Sequence, residues 1–199
     1  RAIFPRTAYS QDQRTAYEAQ ALQNGEAKLL WQDENNNACL IHIISEAGAQ
    51  RLGRGTDWCT AWGGPGDPDK TSKFSNYSDN LLYWRIGAEV YQVHFSSVQF
   101  KDAQDKDIAL KSLVTACPEA ISALKPALEQ TFQNAAKEGY GTDIAQVLTA
   151  CQNTGDANLL QAAISALTPV IEQTFRMATQ AGNGYHIAPL LTACQNTGD

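Results

Sequence analysis

Apolar residues fall into two rhythms along this chain. Up to about residue 106 they come in short runs bounded by turn formers, and beyond it they recur every three or four positions. In the first part, residues 28–31 and 38–44 read as strands, the second a β-branched run bounded by three asparagines. Residues 81–86 and 89–95 flank Gly87 as a hairpin, and residues 98–100 add a third short strand. Residues 9–24 are polar and rich in Gln and Ala, with Tyr17 and Leu22 as thin apolar support, and predict a surface helix ending at Gly25. Ser45 caps a short helix over residues 46–52 that Gly53 closes. Residues 63–69 hold too many glycines and prolines to be anything but loop. This segregation of elements predicts an α+β domain over residues 1–106.

The second rhythm is a repeat. Ala120-Ile-Ser-Ala-Leu124 returns as Ala163-Ile-Ser-Ala-Leu167, Glu129-Gln-Thr-Phe132 as Glu172-Gln-Thr-Phe175, and residues 148–156 as residues 191–199, always 43 positions on. About two-thirds of the 38 aligned positions are identical, well above what shared composition produces. Within one copy, Asp156 caps a helix carrying Leu160, Ile164 and Leu167; Thr168-Pro169 restarts a second helix; and residues 186–195 form a third. Three short helices per copy predict an α-helical solenoid of armadillo or HEAT type in length and helix count, occupying residues 107–199 as an interaction region. Residues 107–109 and 115–117 echo the third helix in degenerate form. Cys117, Cys151 and Cys194 share one repeat position and read as small core hydrophobes. The chain begins without Met and stops on the last residue of a copy, so it reads as a piece of a longer protein.

Composition narrows the functional classes. A net charge of −6 leaves no basic stripe for phosphates, so nucleic acid is not an expected partner. No apolar run is long enough to span a bilayer, and the N-terminus lacks the apolar stretch of a signal peptide, so the expectation is a soluble protein without a membrane partner. The five scattered cysteines have neither disulfide nor zinc spacing; reduced thiols in a cytoplasm are expected, with no metal and no cofactor.

The most unusual stretch runs from Gly53 to Ala61, with Cys59 behind two glycines at an expected helix start, where the helix dipole would favour a thiolate. A thiolate nucleophile needs a base, and His94 on a later strand is the natural partner, with Asp102 or Gln99 to orient the imidazole. Thr56, Trp58 and Trp62 are the expected substrate contacts, within an aromatic group that also includes Tyr77, Tyr83 and Trp84. The competing reading makes Cys59 a packed thiol beside tryptophans and His94 an outward strand residue. Arg54 reads either as a contact for an acidic substrate or, the preferred reading, as a solvated loop residue, and Cys39 and His42, on opposite faces of one strand, as structural.

The pattern Gly53-x-x-Thr56-x-Trp58-Cys59-Thr60, followed by Tyr91-Gln-x-His94 and Gln99-Phe-x-Asp102, resembles a domain of uncharacterised tailed-phage and bacterial proteins. The likeness covers roughly residues 38–107 and implies a shared site without naming its reaction. The site layout also resembles that of papain-like and transglutaminase-like enzymes. The leading expectation is a cysteine-dependent hydrolase or acyl-transferase, of protease, deamidase or transglutaminase type, acting on a protein substrate recruited by the repeats. By analogy it would be cytoplasmic, or a bacterial effector secreted into a host cell. Two alternatives stay open: a non-catalytic protein-binding scaffold, and a transferase that binds a nucleotide or other small ligand, which lacks any phosphate-cradling glycine motif.

Overall fold

The computed structural model describes residues 9–64, 68–180, 182 and 187–197. The chain divides into two compact units, one of Arg1–Val93 with Phe100–Ile108, the other of His94–Gln99 with Ala109–Asp199. Among the described residues no helix is long and apolar enough to cross a membrane.

A five-stranded antiparallel sheet runs in meander order, all of it but His94 and Gln99 in the first unit: β1 (Ala27–Asp33), β2 (Ala38–Ile43), β3 (Leu81–Ile86), β4 (Glu89–His94) and β5 (Gln99–Lys101). The architecture is α+β. β1 takes up an extra residue at Leu30, so pairing resumes between Trp31 and Leu40 after Leu29 and Ile41. Strand alternation puts Cys39, Ile41 and Ile43 of β2 with Leu81 and Tyr83 of β3 in one core, closed by Val90, by Ala49 and Leu52 of α2 (Glu46–Leu52), by Ala21 of α1 (Gln11–Gln23) and by Trp58. Ser45 caps α2 as its sequence predicts, accepting from the Gly48 amide. Within residues 63–69, the loop expectation for 65–67 falls outside the described residues.

Helix α1 departs from the surface helix its polar sequence predicts. Ser10 and Gln13 form a capping box at its start, but the face turned inward carries Arg14, Glu18 and Ala21. Glu18 accepts from Arg85 Nε at 2.6 Å and Nη2 at 3.0 Å and from the Tyr83 hydroxyl at 2.8 Å, while Arg85 Nη1 also donates to the Asn37 carbonyl. The carboxylate therefore enters the core only because a bidentate cation from β3 meets it there.

The second unit is helical: α3 (Leu110–Ala116), α4 (Ile121–Glu138), α5 (Gly141–Thr154), α6 (Ala157–Leu167), α7 (Ile171–Gln180) and α8 (Ile187–Thr197). α4 packs on α6 and α7, and α5 packs on α3 and α8. The sequence repeat is expressed in the helix ends. α5 and α8 stop at Thr154 and Thr197, and Gly139 and Gly182, also 43 apart, both turn left-handed at φ 72° and 68°. Asp156 caps α6 through Asn158 and Leu159, as expected. The position expected to open the third helix, His186, lies outside the described residues.

The copies differ at the proline. In the later copy Thr168–Val170 forms a 3-10 turn between α6 and α7, whereas in the earlier one Pro126 lies inside the continuous helix α4. Lys125, Ala127 and Leu128 around Pro126 are good helix formers, while the β-branched Val170 and Ile171 follow Pro169. The same loss of an amide donor is absorbed in one copy and breaks the helix in the other. Of the three repeated thiols, Cys117 and Cys151 are buried and Cys194 is half-buried, and burial pushes Cys151 up to about 12.

Candidate functional site

The loop after α2 is pinned at nearly every residue. Gly53 must be glycine because a Cβ there would sit 2.5 Å from the Ala61 Cβ and 2.8 Å from the Ala49 carbonyl oxygen. Thr56 Oγ1 donates to the Gly53 carbonyl at 2.6 Å and accepts from the Trp58 amide, which folds the two ends of the turn together. The Asp57 amide donates to the Ala103 carbonyl at 2.8 Å. Trp58 is 1% exposed, stacks edge-on to Tyr83, and donates its indole N–H to the Asp102 carbonyl at 2.6 Å. Thr60 Oγ1 donates to Gln92 Oε1 at 2.6 Å, and Ser72 Oγ donates to the Thr60 carbonyl at 2.8 Å. The Trp-Cys-Thr segment is thus held between α2, the turn after β5 and strand β4.

Cys59 is the half-exposed residue of this segment, between buried Trp58 and Thr60. It opens only the three-residue 3-10 turn Cys59–Ala61, so the expected α-helix start is absent and with it a helix dipole aimed at sulfur. Its thiol is pushed up rather than down. Burial is the largest cause and the Asp105 charge adds to it, while a hydrogen bond from Tyr77 and the Lys73 charge act in the opposite sense. Its carbonyl accepts from the Lys73 amide at 3.0 Å, which ties the loop to the next 3-10 turn, Phe74–Asn76. At neutral pH the sulfur is therefore a protonated thiol, and a base must take its proton before it can attack.

The other expected site residues have distinct settings. Thr56 and Trp58, expected substrate contacts, are buried, Thr56 bonded within the loop and Trp58 to the Asp102 carbonyl. Trp62 is half-buried, with the Lys70 ammonium 4.6 Å from its ring centre and a buried indole N–H that meets no acceptor. Asp102 Oδ1 accepts from the Gln104 and Lys106 amides at 2.9 and 3.0 Å, the work of a turn-forming aspartate. His94 and Gln99 belong to the second unit; His94 is buried and its Nδ1 lies 2.7 Å from Ser97 Oγ. Tyr83 and Trp84 are core residues. Sequence reasoning passed over Tyr77 as a partner of the thiol and Gln92 as the anchor of Thr60; no local pattern connects either to Cys59. Among the described residues no group of three or more His, Cys, Asp or Glu side chains is placed to hold a metal ion.

The second unit carries a groove of about 710 Å³ between α5 and α8. Ala145, Gln146, Thr149 and Ala150 line it from α5, and Ala188, Pro189, Thr192 and Ala193 from α8. These are four pairs of equivalent repeat positions, each 43 apart. No protein-family model, no curated protein and no solved structure matches this chain.

Proposed function

We infer that the chain is a protein-binding module whose helices form a short solenoid of 43-residue repeats and grip a partner in the groove between equivalent helices. The observation that carries this reading is the pairing of the groove lining: the same four positions in each copy, three of them with the same residue and the fourth with Gln146 against Pro189. Small Ala and Thr side chains let another chain approach the helix backbones closely, and stacking copies extends such a surface without new design. The test uses the exposed groove threonines. The double variant Thr149→Arg, Thr192→Arg fills the groove, with Lys137→Glu as a control outside it. Proteins captured by the immobilised native chain and the control are expected to be lost at least about tenfold by the groove variant. Capture of the same set by all three chains would overturn the reading.

A second reading keeps the thiol chemistry, favoured by a half-exposed sulfur on a pinned loop in contact with the Tyr77 hydroxyl. In it the chain is a cysteine-dependent hydrolase or acyl-transferase acting on the protein that the repeats hold. A general base takes the Cys59 proton, and sulfur adds to an amide carbonyl. The amine leaves with that proton, and water or a second amine then takes the acyl group from sulfur. Its test is a peptide vinyl sulfone, which should form an adduct on Cys59 that His94→Ala suppresses. Equal adduct formation in both chains would remove the enzyme reading.

A further inference from the structure

The loop that presents Cys59 also carries Arg54, and the sequence expectation of a solvated side chain is not what the structure places there. The Arg54 guanidinium lies 4.9 Å from the centre of the Tyr17 ring, and the Arg14 guanidinium lies 5.3 Å from that of Tyr9. The two tyrosines pack edge to face at 5.4 Å and 75°, so the cations and rings form one cluster. Arg14 Nη1 donates to the Arg54 carbonyl at 2.7 Å and to the Leu52 carbonyl at 3.4 Å, fastening α1 to the end of α2.

Among the described residues this cluster lacks an anion. Glu18, one turn along α1 from Arg14, is held by Arg85 and Tyr83, and Glu26 is held by Arg51 at 2.6 Å. Among the described residues neither Arg14 nor Arg54 has a carboxylate within ion-pair distance. The Nε hydrogens of both are buried and meet no acceptor among the described residues. A guanidinium cannot shed its proton, and a buried cation answered only by carbonyl dipoles is unfavourable. Capping of the α2 carbonyls accounts for Arg14 Nη1, but for neither Nε atom and for no part of the Arg54 head group. Arg14 is 5% exposed, whereas Arg54 is half-buried, so a solute reaches the cluster through Arg54. An aromatic face under a guanidinium holds its plane and leaves its N–H edge free for two parallel hydrogen bonds to one oxyanion.

We propose that Arg54, backed by Arg14 and seated on Tyr17 and Tyr9, is a binding site for an oxyanion, a carboxylate or a phosphoryl group, on a ligand of this protein. Arg54 supplies the bidentate edge, Arg14 the second charge, and the tyrosines the fixed geometry. The site does not depend on the chemistry of Cys59, although the shared loop places the two functions close in sequence.

The test follows the arginine Nε–Hε signals of the full chain by NMR during parallel titrations with inorganic phosphate and with acetate at constant ionic strength. The Arg54 and Arg14 signals are expected to shift saturably with at least one of the two. Arg54→Gln, which keeps a polar head group on a shorter stem and loses the charge, should weaken binding by about tenfold or more, and Arg54→Lys should restore only part of it because an ammonium lacks the planar fork. A stronger response to phosphate identifies a phosphoryl ligand, and a stronger one to acetate an acidic residue or chain end. Cys59→Ser should leave both titrations unchanged, so the site can stand even if the thiol reading falls. Shifts that stay linear to the end of both titrations, or that persist undiminished in Arg54→Gln, would overturn the proposal.

Discussion

The two units solve the problem of holding a shape in opposite ways. In the first, each fastening occurs once: one carboxylate answers Arg85, one indole N–H meets the Asp102 carbonyl, one threonine closes the turn at Gly53. In the second, α6 is capped by its own Asp156, and what holds the helices is an apolar stripe that returns every 43 residues. A structure fastened by single polar contacts between distant segments positions a side chain closely but has no spare parts. A repeated one spreads the load, and its copies can drift apart, as the two prolines have done.

Sharp tests of that contrast are available because all four tryptophans lie in the first unit, so their fluorescence reports on it alone, while helical circular dichroism is weighted toward the second. The largest effect is expected from Glu18→Ala, which strands the buried Arg85 guanidinium and should cost about 3–5 kcal/mol in the tryptophan-detected urea transition. A cost below about 1 kcal/mol would mean that the single fastening matters no more than a surface pair, and the comparison would fail. Next comes Gly139→Ala, where φ is 72° and a Cβ would meet the Ala178 amide nitrogen at 3.0 Å; about 1–3 kcal/mol is expected, read from the helical melt. Asp156→Ala removes the α6 cap and should cost about 1 kcal/mol by the same measure.

Acid gives a smaller and more diagnostic effect. The hydrogen bond from Arg51 holds Glu26 below the ordinary glutamate value of 4.5, so the unfolded chain binds protons there more readily than the folded one. The stability this pair adds is complete above that value and drains as pH falls through the lowered folded one. Arg51→Ala should flatten the acid limb of the tryptophan-detected stability profile. The smallest effect in energy is one of rate. Iodoacetamide should label Cys59 slowly at neutral pH and faster through the alkaline range; Asp105→Asn should speed neutral labelling and Tyr77→Phe slow it, as peptide mapping would show.

Elements whose signals are local were legible in the sequence. The β3–β4 hairpin follows from alternation around Gly87, at φ 62°, and α2 from Ser45 and Gly53 at its ends. The inward face of α1 was not legible, because Arg14 and Glu18 look solvated until the carbonyls after α2 and the Arg85 side chain arrive from distant segments. The Trp-Cys-Thr loop announced itself by its glycines and by a tryptophan next to a cysteine. Its electrostatics did not, since Tyr77 and Asp105 reach sulfur from two separate turns. The repeat foretold where α5 and α8 stop, yet not that Pro126 would be carried within a helix, a result decided by the residues beside it rather than by the proline.

The proton on the Cys59 sulfur has an implication for durability. Peroxide, like an alkylating agent, reacts with the ionised form, so a sulfhydryl kept neutral by its surroundings resists conversion to sulfenic acid. Conversion of this sulfhydryl by peroxide is therefore expected to quicken only as pH climbs into the alkaline range.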